Sequence, residues 1–260
     1  PSWRSRSTSI SASTGSPTLV CGDTVDGAGC DVVVEPGDDD TTRLQEALID
    51  GVQTGSTLCL CPGTYQLRRE LSLTVPEVTV RGLGPTRDDV VLDFAGQTVD
   101  DDGMSVDADG FTIENLTIKN TPGNGIVVRG ADRPTFRNMR VSWDAGSVVT
   151  NGAYAVYPVS STQVLVEGCE VVGAADAGIY VGQSRSIIVR DNVVYGNVAG
   201  IEIENSSDAD VYGNLAYDNT AGILVFVLPR LEKKDGERCK VHDNDVRDNN
   251  RGNFAVSGTI

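Results

Sequence analysis

The stretch AGIYVGQSRSIIVRDNVVYGNVAGIEIENSSDADVYGNLAYDNTAGILVF, Ala177 to Phe226, says nearly the same thing three times: Ala-Gly-Ile, a short alternating run, a polar turn, then Asp/Gly-Asn. Self-similarity at so short a period is the mark of a solenoid, in which each unit buries its apolar side only against its neighbours. Two marker columns can be read off. Ile113, Phe136, Val166, Val189, Val211 and Val241 form the first, separated by 23, 30, 23, 22 and 30 residues. Ile126, Ala153, Ile179, Ile201, Ile223 and Asn253 form the second, each directly after a glycine. The two long spacings indicate insertions, which we assign to PVSSTQ (158–163) and LPRLEKKDGE (228–237).

Each unit holds two or three runs of three to five alternating residues, bounded by Gly, Asn and Asp, which tolerate left-handed turns. Between the runs there is no apolar stripe at helical spacing, which excludes crossover helices and a doubly wound α/β fold. Stacking like on like puts Asn192, Asn214 and Asn244 at one turn position, where an asparagine bonds the coils above and below. Leu116, Met139 and Cys169 fall in the same column, so Cys169 is read as an internal stacking residue. The expected fold is an all-β right-handed parallel β-helix over 57–260. Before it come a Ser/Thr-rich tail (1–20), read as the tether left after removal of an export signal, and a cap segment (21–56). The cap carries one helix at 41–50, with a Thr cap and with Leu44, Ala47 and Leu48 on one face, laid across the first coil. The last repeat stops midway, leaving an open coil for more chain, a partner or a second copy to cover.

Asp and Glu number 37 against 21 Lys and Arg, a net charge of −16, so a nucleic-acid or anionic-membrane partner is not expected. The longest notable apolar run, Ile223 to Leu228, is far too short to span a bilayer. Six cysteines point to an oxidising, extracytoplasmic compartment. Cys21 and Cys30, joined by a Gly-rich segment, are the expected disulfide. Cys59 and Cys61 project to the same side of a strand, and each bonds elsewhere or stays a small buried apolar group. A metal site at Cys-x-Cys lacks a second pair of ligands.

Residues following the second column, Val127, Tyr154, Tyr180, Glu202, Leu224 and Phe254, point outward in one row, with Tyr157, Gly182, Glu204 and Phe226 beyond them. Aromatic rings beside carboxylates suit a sugar, so Tyr154, Tyr157, Asp176, Tyr180, Gln183 and Glu202 are candidate ligand-binding residues. Glu202, Glu204 and Tyr180 are the catalytic candidates, since two carboxylates one strand-repeat apart lie at a spacing that glycoside hydrolysis uses. The competing reading makes this row an outer cluster covered by the two insertions. Arg129, Arg185 and Arg190 are the available cations of the central coils, no lysine lies between Lys119 and Lys233, and the one histidine, His242, reads as a surface residue. Calcium is a candidate cofactor at Gly37–Asp40, Asp100–Gly103 and Asp243–Asn250, none of which has EF-hand spacing.

The segment GSTLCLCPGTY (55–65), together with Tyr154 to Pro158, Asp176 to Gln183 and Gly200 to Asn205, resembles the exported bacterial parallel β-helix repeat proteins of uncharacterised function, within the wider pectate-lyase-like class. The resemblance implies secretion, with or without a lipid anchor, and genes often paired with a second exported protein resembling a diheme c-type cytochrome. It brings no catalytic residues, and the Asp-Pro-His-Asp signature of epimerases of this fold is missing. Two functions are therefore expected: an extracytoplasmic scaffold or binding subunit contacting a partner protein or surface glycan, and alternatively a polysaccharide-active enzyme (uronate lyase, epimerase or glycoside hydrolase) using the Tyr/Glu face.

Overall fold

The computed structural model describes Cys21 and residues 29–255; the Ser/Thr-rich tail lies outside the described residues. Successive coils each add a strand to three parallel sheets of nine, seven and eight strands, the stack of a right-handed parallel β-helix. In the nine-stranded sheet Val80, Ile113, Phe136, Val166, Val189 and Val211 stand in register. All are buried, as alternation in a sheet with one face inward requires. Burying each such side chain contributes roughly 1.5–3 kcal/mol.

The seven-stranded sheet corrects the second marker column. Val156, not Ala153, stacks between Ile126 and Ile179. Ser142 still pairs with Lys119 and Val172, so the first insertion lies between Ser142 and the strand Tyr154–Val159. PVSSTQ is not an insertion: it holds the end of that strand and Thr162, which bridges Asp132 and Arg185 in the coils on either side. The chain therefore regains register three residues later than its glycine suggests. The second insertion falls as expected, between the strands Ala221–Phe226 and Lys240–His242.

Corners are made by left-handed residues. Asn115, Asn138, Gly168, Asp191, Gly213 and Asp243 all have positive φ at one column, a conformation that Gly, Asn and Asp enter at least cost. The next residue then turns inward. There Asn192 donates to the Val166 carbonyl (3.1 Å) and to Asn214 Oδ1 (2.9 Å), and Asn214 donates to Asn244 Oδ1 (2.9 Å). A second ladder that the sequence reading missed, Asn197, Asn219 and Asn249, runs down another corner. Cys169 is buried in the first of these columns, as read.

The repeated Ala-Gly-Ile has a steric cause. A Cβ on Gly200 would lie 2.5 Å from the Gly222 carbonyl oxygen of the next coil and 2.8 Å from Val194 Cγ2. Gly200→Ala is expected to cost about 1–3 kcal/mol by overpacking. A denaturant midpoint unchanged from wild type would contradict this.

At the N-terminal end the helix Asp40–Glu46 runs on as one π-helical turn, Ala47–Gly51, burying Leu44, Ala47 and Leu48. The expected Thr cap is not formed: Asp39, in left-handed conformation, occupies the N-cap without a side-chain bond. The side chains of the first turn serve the open edge of the stack instead. Asp40 accepts from Gln66 N–H (2.8 Å), Thr41 from Arg68 N–H (3.0 Å), and Gln45 exchanges two bonds with Ser72. Backbone donors of the terminal strands are thus satisfied rather than left as a sticky edge. The first rung, Val32–Val34, lies upstream of this helix and pairs with Leu58–Leu60.

That pairing also decides the disulfides. Cys30 is bonded to Cys59 and Cys21 to Cys61, which overturns the expected Cys21–Cys30 bond. Val32 and Val33 are in register with Leu58 and Cys59, which carries Cys30 along the same flank to a Cα separation of 5.7 Å from Cys59. Cys59 and Cys61 face one way, away from the main core, and each meets a different incoming cysteine.

Candidate functional site

The outward face of the seven-stranded sheet gathers six of the seven residues singled out from the sequence. Parallel register places Tyr180 beside Glu202 and Glu202 beside Leu224, with Gly182, Glu204 and Phe226 in the next outward column. Because Val127 pairs with Tyr157, it is Tyr157 rather than Tyr154 that continues this row. Tyr154 pairs with Ala177, one step upstream. The small column Ala177, Ala199 and Ala221 leaves room for large neighbours, and the rings of Tyr154, Tyr157 and Tyr180 pack together with centroids 4.6–5.0 Å apart. Tyr180 and Leu224 belong to this outer cluster, whereas Phe226, which the covered reading set beside them, lies with Val225 and Val227.

Three carboxylates lie beside the rings. Tyr180 donates to Glu204 Oε2 at 2.5 Å, and the Tyr154 hydroxyl bonds the Asp176 carboxylate. Glu202 is only 4% exposed. Among the described residues it has no hydrogen-bond partner and no facing cation. Burial first, then the negative charges of Asp176 and Glu204, push its carboxyl up to about 8. Asp176 is raised as well, by burial and by Glu204, against the bond from Tyr154. Burial, followed by the nearby carboxylates, holds the Tyr154 and Tyr180 hydroxyls firmly protonated as donors.

Further along the face, Arg129 lies 3.9 Å from Asp102, and Asp102 is tied by Oδ1 to Asn124. Glu70, which the sequence reading missed, is raised by burial and then by Asp102 and Asp100. Its approach depends on a bulge between Arg69 and Leu71 that no alternation pattern reveals. Gln183 stands at a left-handed corner and accepts from Lys233 N–H of the second insertion (3.3 Å).

The other cations are engaged elsewhere. Arg81, Glu114, Arg137, Glu167 and Arg190 alternate in register along the nine-stranded sheet, with contacts of 2.5–3.1 Å, the cross-strand pairing that favours opposite charges. Arg185 begins a strand of that same sheet. His242 is exposed there, stacked on Tyr212 and bonded to Asp210 and Asp243 at 2.8 Å each, and these contacts raise its pKa.

Asp100 and Asp102 of one acidic run lie near Glu70, while the other two runs are engaged within the fold. Asp40 caps backbone, Asn244 and Asn249 belong to the ladders, and Asp243 bonds His242. Among the described residues, Cys21, Glu35 and Cys61 alone have three ligand atoms within reach of one ion, and both cysteines are disulfide-bonded. No helix of the described residues is long and apolar enough to cross a membrane.

Known proteins share the architecture. The A-module of the Azotobacter vinelandii mannuronan C-5 epimerase AlgE4 aligns at 18% identity and TM-score 0.49 over 79% of this chain and 67% of that one. The catalytic unit of a Streptomyces thermodiastaticus GH87 α-1,3-glucanase aligns at 15% and 0.52 over 84% and 44%. A rhamnogalacturonan lyase aligns at 9% and 0.51 over 83% and 62%. The chain thus spans between 44% and 67% of the length of these structures, and at such identities the likeness is one of fold. A comparison with curated protein sequences returns no significant match. The profile described as the right-handed beta helix region matches residues 102–259, more than half of the sequence and all of the coils that carry the tyrosine–carboxylate face. This chain belongs to the right-handed β-helix family.

Proposed function

We infer that this protein is an extracytoplasmic carbohydrate-active β-helix whose seven-stranded face binds a glycan, with Glu202 as its proton donor. One observation carries the reading: a carboxyl only 4% exposed, in register with Tyr180 and without a hydrogen-bond partner among the described residues, stands one strand-repeat from a second carboxylate, and burial pushes it up to about 8. That is the state a general acid requires. Glu202 and Glu204 lie two residues apart on one strand face, with a backbone repeat of roughly 6.5–7 Å, which lets two carboxyls flank one glycosidic bond. In such a step Glu202 gives its proton to the glycosidic oxygen as that bond breaks. Water adds to the anomeric carbon and yields its own proton to Glu204. The tyrosines offer ring faces and hydroxyl donors to the sugar. Two disulfides suit an oxidising compartment, and a glucanase and a rhamnogalacturonan lyase, both polysaccharide-active, share the fold.

The test is reducing-end release from a panel of neutral, amino-bearing and uronate polysaccharides, read beside affinity electrophoresis on the same polymers. Wild type is expected to bind and cleave at least one polymer. Glu202→Gln is expected to keep the binding and lose at least about 100-fold in cleavage, the usual weight of a general acid. Binding without cleavage would leave a glycan-binding subunit. Neither activity, with a second exported protein co-purifying in fixed ratio, would favour the scaffold that docks a partner such as a cytochrome-like protein.

A further inference from the structure

We propose that this face takes a cationic amino-glycan, a chain bearing non-acetylated hexosamine units, whose ammonium groups supply the counter-charge that Asp176, Glu202 and Glu204 lack. The proposal rests on the carbohydrate reading above and narrows it to one substrate class. Its ground is a charge imbalance. Glu202 is 4% exposed, Glu204 6% and Asp176 8%, and buried carboxylates are normally paired with a cation or a metal.

Here the groups facing them are one another, the hydroxyls of Tyr154, Tyr157 and Tyr180, and the side chain of Leu224. Tyr180 and Tyr154 each satisfy one carboxylate; Glu202, in register with Tyr180, accepts no hydrogen bond among the described residues. Lys233, on the insertion nearest this corner, turns its ammonium to the Asn205 carbonyl (2.9 Å) and Ser207 (2.8 Å). Arg190 is held by Glu167 in the ion-pair column of another sheet. Arg129 of this sheet reaches Tyr157 at the edge of the cluster, and it stands among Asp102, Asp100 and Glu70.

A polyuronate would bring further carboxylates to a surface already short of positive charge, and like charges out of water repel strongly. A single divalent ion does not resolve the imbalance, because the three carboxylates do not fall within one ligand shell. An ammonium does: it donates in three directions, pairs with a carboxylate through charge-assisted bonds and sits well against tyrosine rings. Paired with Asp176 and Glu204, it leaves the Glu202 proton in place for transfer.

Three hexasaccharides serve as probes for wild-type protein by calorimetry at pH 7: one of glucosamine, its fully N-acetylated counterpart, and one of galacturonic acid. The glucosamine oligomer is expected to bind at least about tenfold more tightly than the acetylated one, with an affinity that falls as salt rises, and the uronate oligomer not at all. Equal or tighter binding of the acetylated or uronate probe would overturn the amino-glycan proposal and leave the carbohydrate reading standing. No binding by any of the three, together with none in the polysaccharide panel, would overturn both.

Discussion

Glu202→Gln will stabilise the protein at pH 8 while leaving it nearly unchanged at pH 5. In the folded chain the Glu202 carboxyl is raised from 4.5 to about 8, chiefly by burial. A raised folded pKa means that the folded state holds its proton more tightly than the unfolded chain does. The stability this confers is complete below about pH 4.5 and is lost as pH rises through about 8, at roughly 1.4 kcal/mol per pH unit. Across that window the loss is on the order of 3–5 kcal/mol, and the raised Asp176 adds to it in the same direction. Glutamine carries no charge in either state, so the variant lacks this slope. Denaturant unfolding at pH 5, 6.5 and 8 reads it out as the difference between the two proteins. Taking the difference cancels the exposed His242, whose raised pKa acts with the same sign in both. A wild type that is the more stable of the two at pH 8 would show that Glu202 is ionised and paired in the folded protein, and the proton-donor role would fall with it.

Asn219→Ala will be the most damaging single change among the described corner residues, at about 3–5 kcal/mol, because it leaves several buried polar groups unsatisfied at once. Asn219 has no exposure. Its Oδ1 accepts from Asn197 N–H and Nδ2, both at 3.0 Å. Its Nδ2 donates to the Val194 and Tyr217 carbonyls at 3.0 Å and to Asn249 Oδ1 at 2.9 Å. Alanine removes all of these partners and adds a small cavity between coils. Asn249→Ala, one rung further and less buried, lets water reach the freed groups and should cost less than half as much. Urea midpoints for the two variants test the comparison. Equal costs would mean that the ladder owes its strength to something other than burial.

The period, the inward columns and the asparagine column of Asn192, Asn214 and Asn244 were legible because each depends on one chain position meeting its own repeat. That relation is fixed by spacing and by side-chain alternation. The helix face of Leu44, Ala47 and Leu48 was legible for the same kind of reason, while its cap was not: Asp40 and Thr41 are drawn away to close the strands at Gln66 and Arg68, a demand made by another part of the molecule. Register after the first insertion escaped the sequence because a glycine three residues early marks the turn as plausibly as the true position does. The tyrosines and carboxylates were found by composition, as outward residues beside a marker. What they are to one another was not.

By itself, then, the sequence determined a stack of coils and which side chains leave it, because local alternation and repeat length act without knowledge of distant contacts. Only the tertiary structure decided that Cys30 meets Cys59, that the Arg and Glu residues of one sheet neutralise each other, and that Glu202 is enclosed with two carboxylates and no cation. The reason is physical: pairing, burial and the proton affinity of a carboxyl depend on what three successive coils bring to the same point in space, and that is not a property of any one of them.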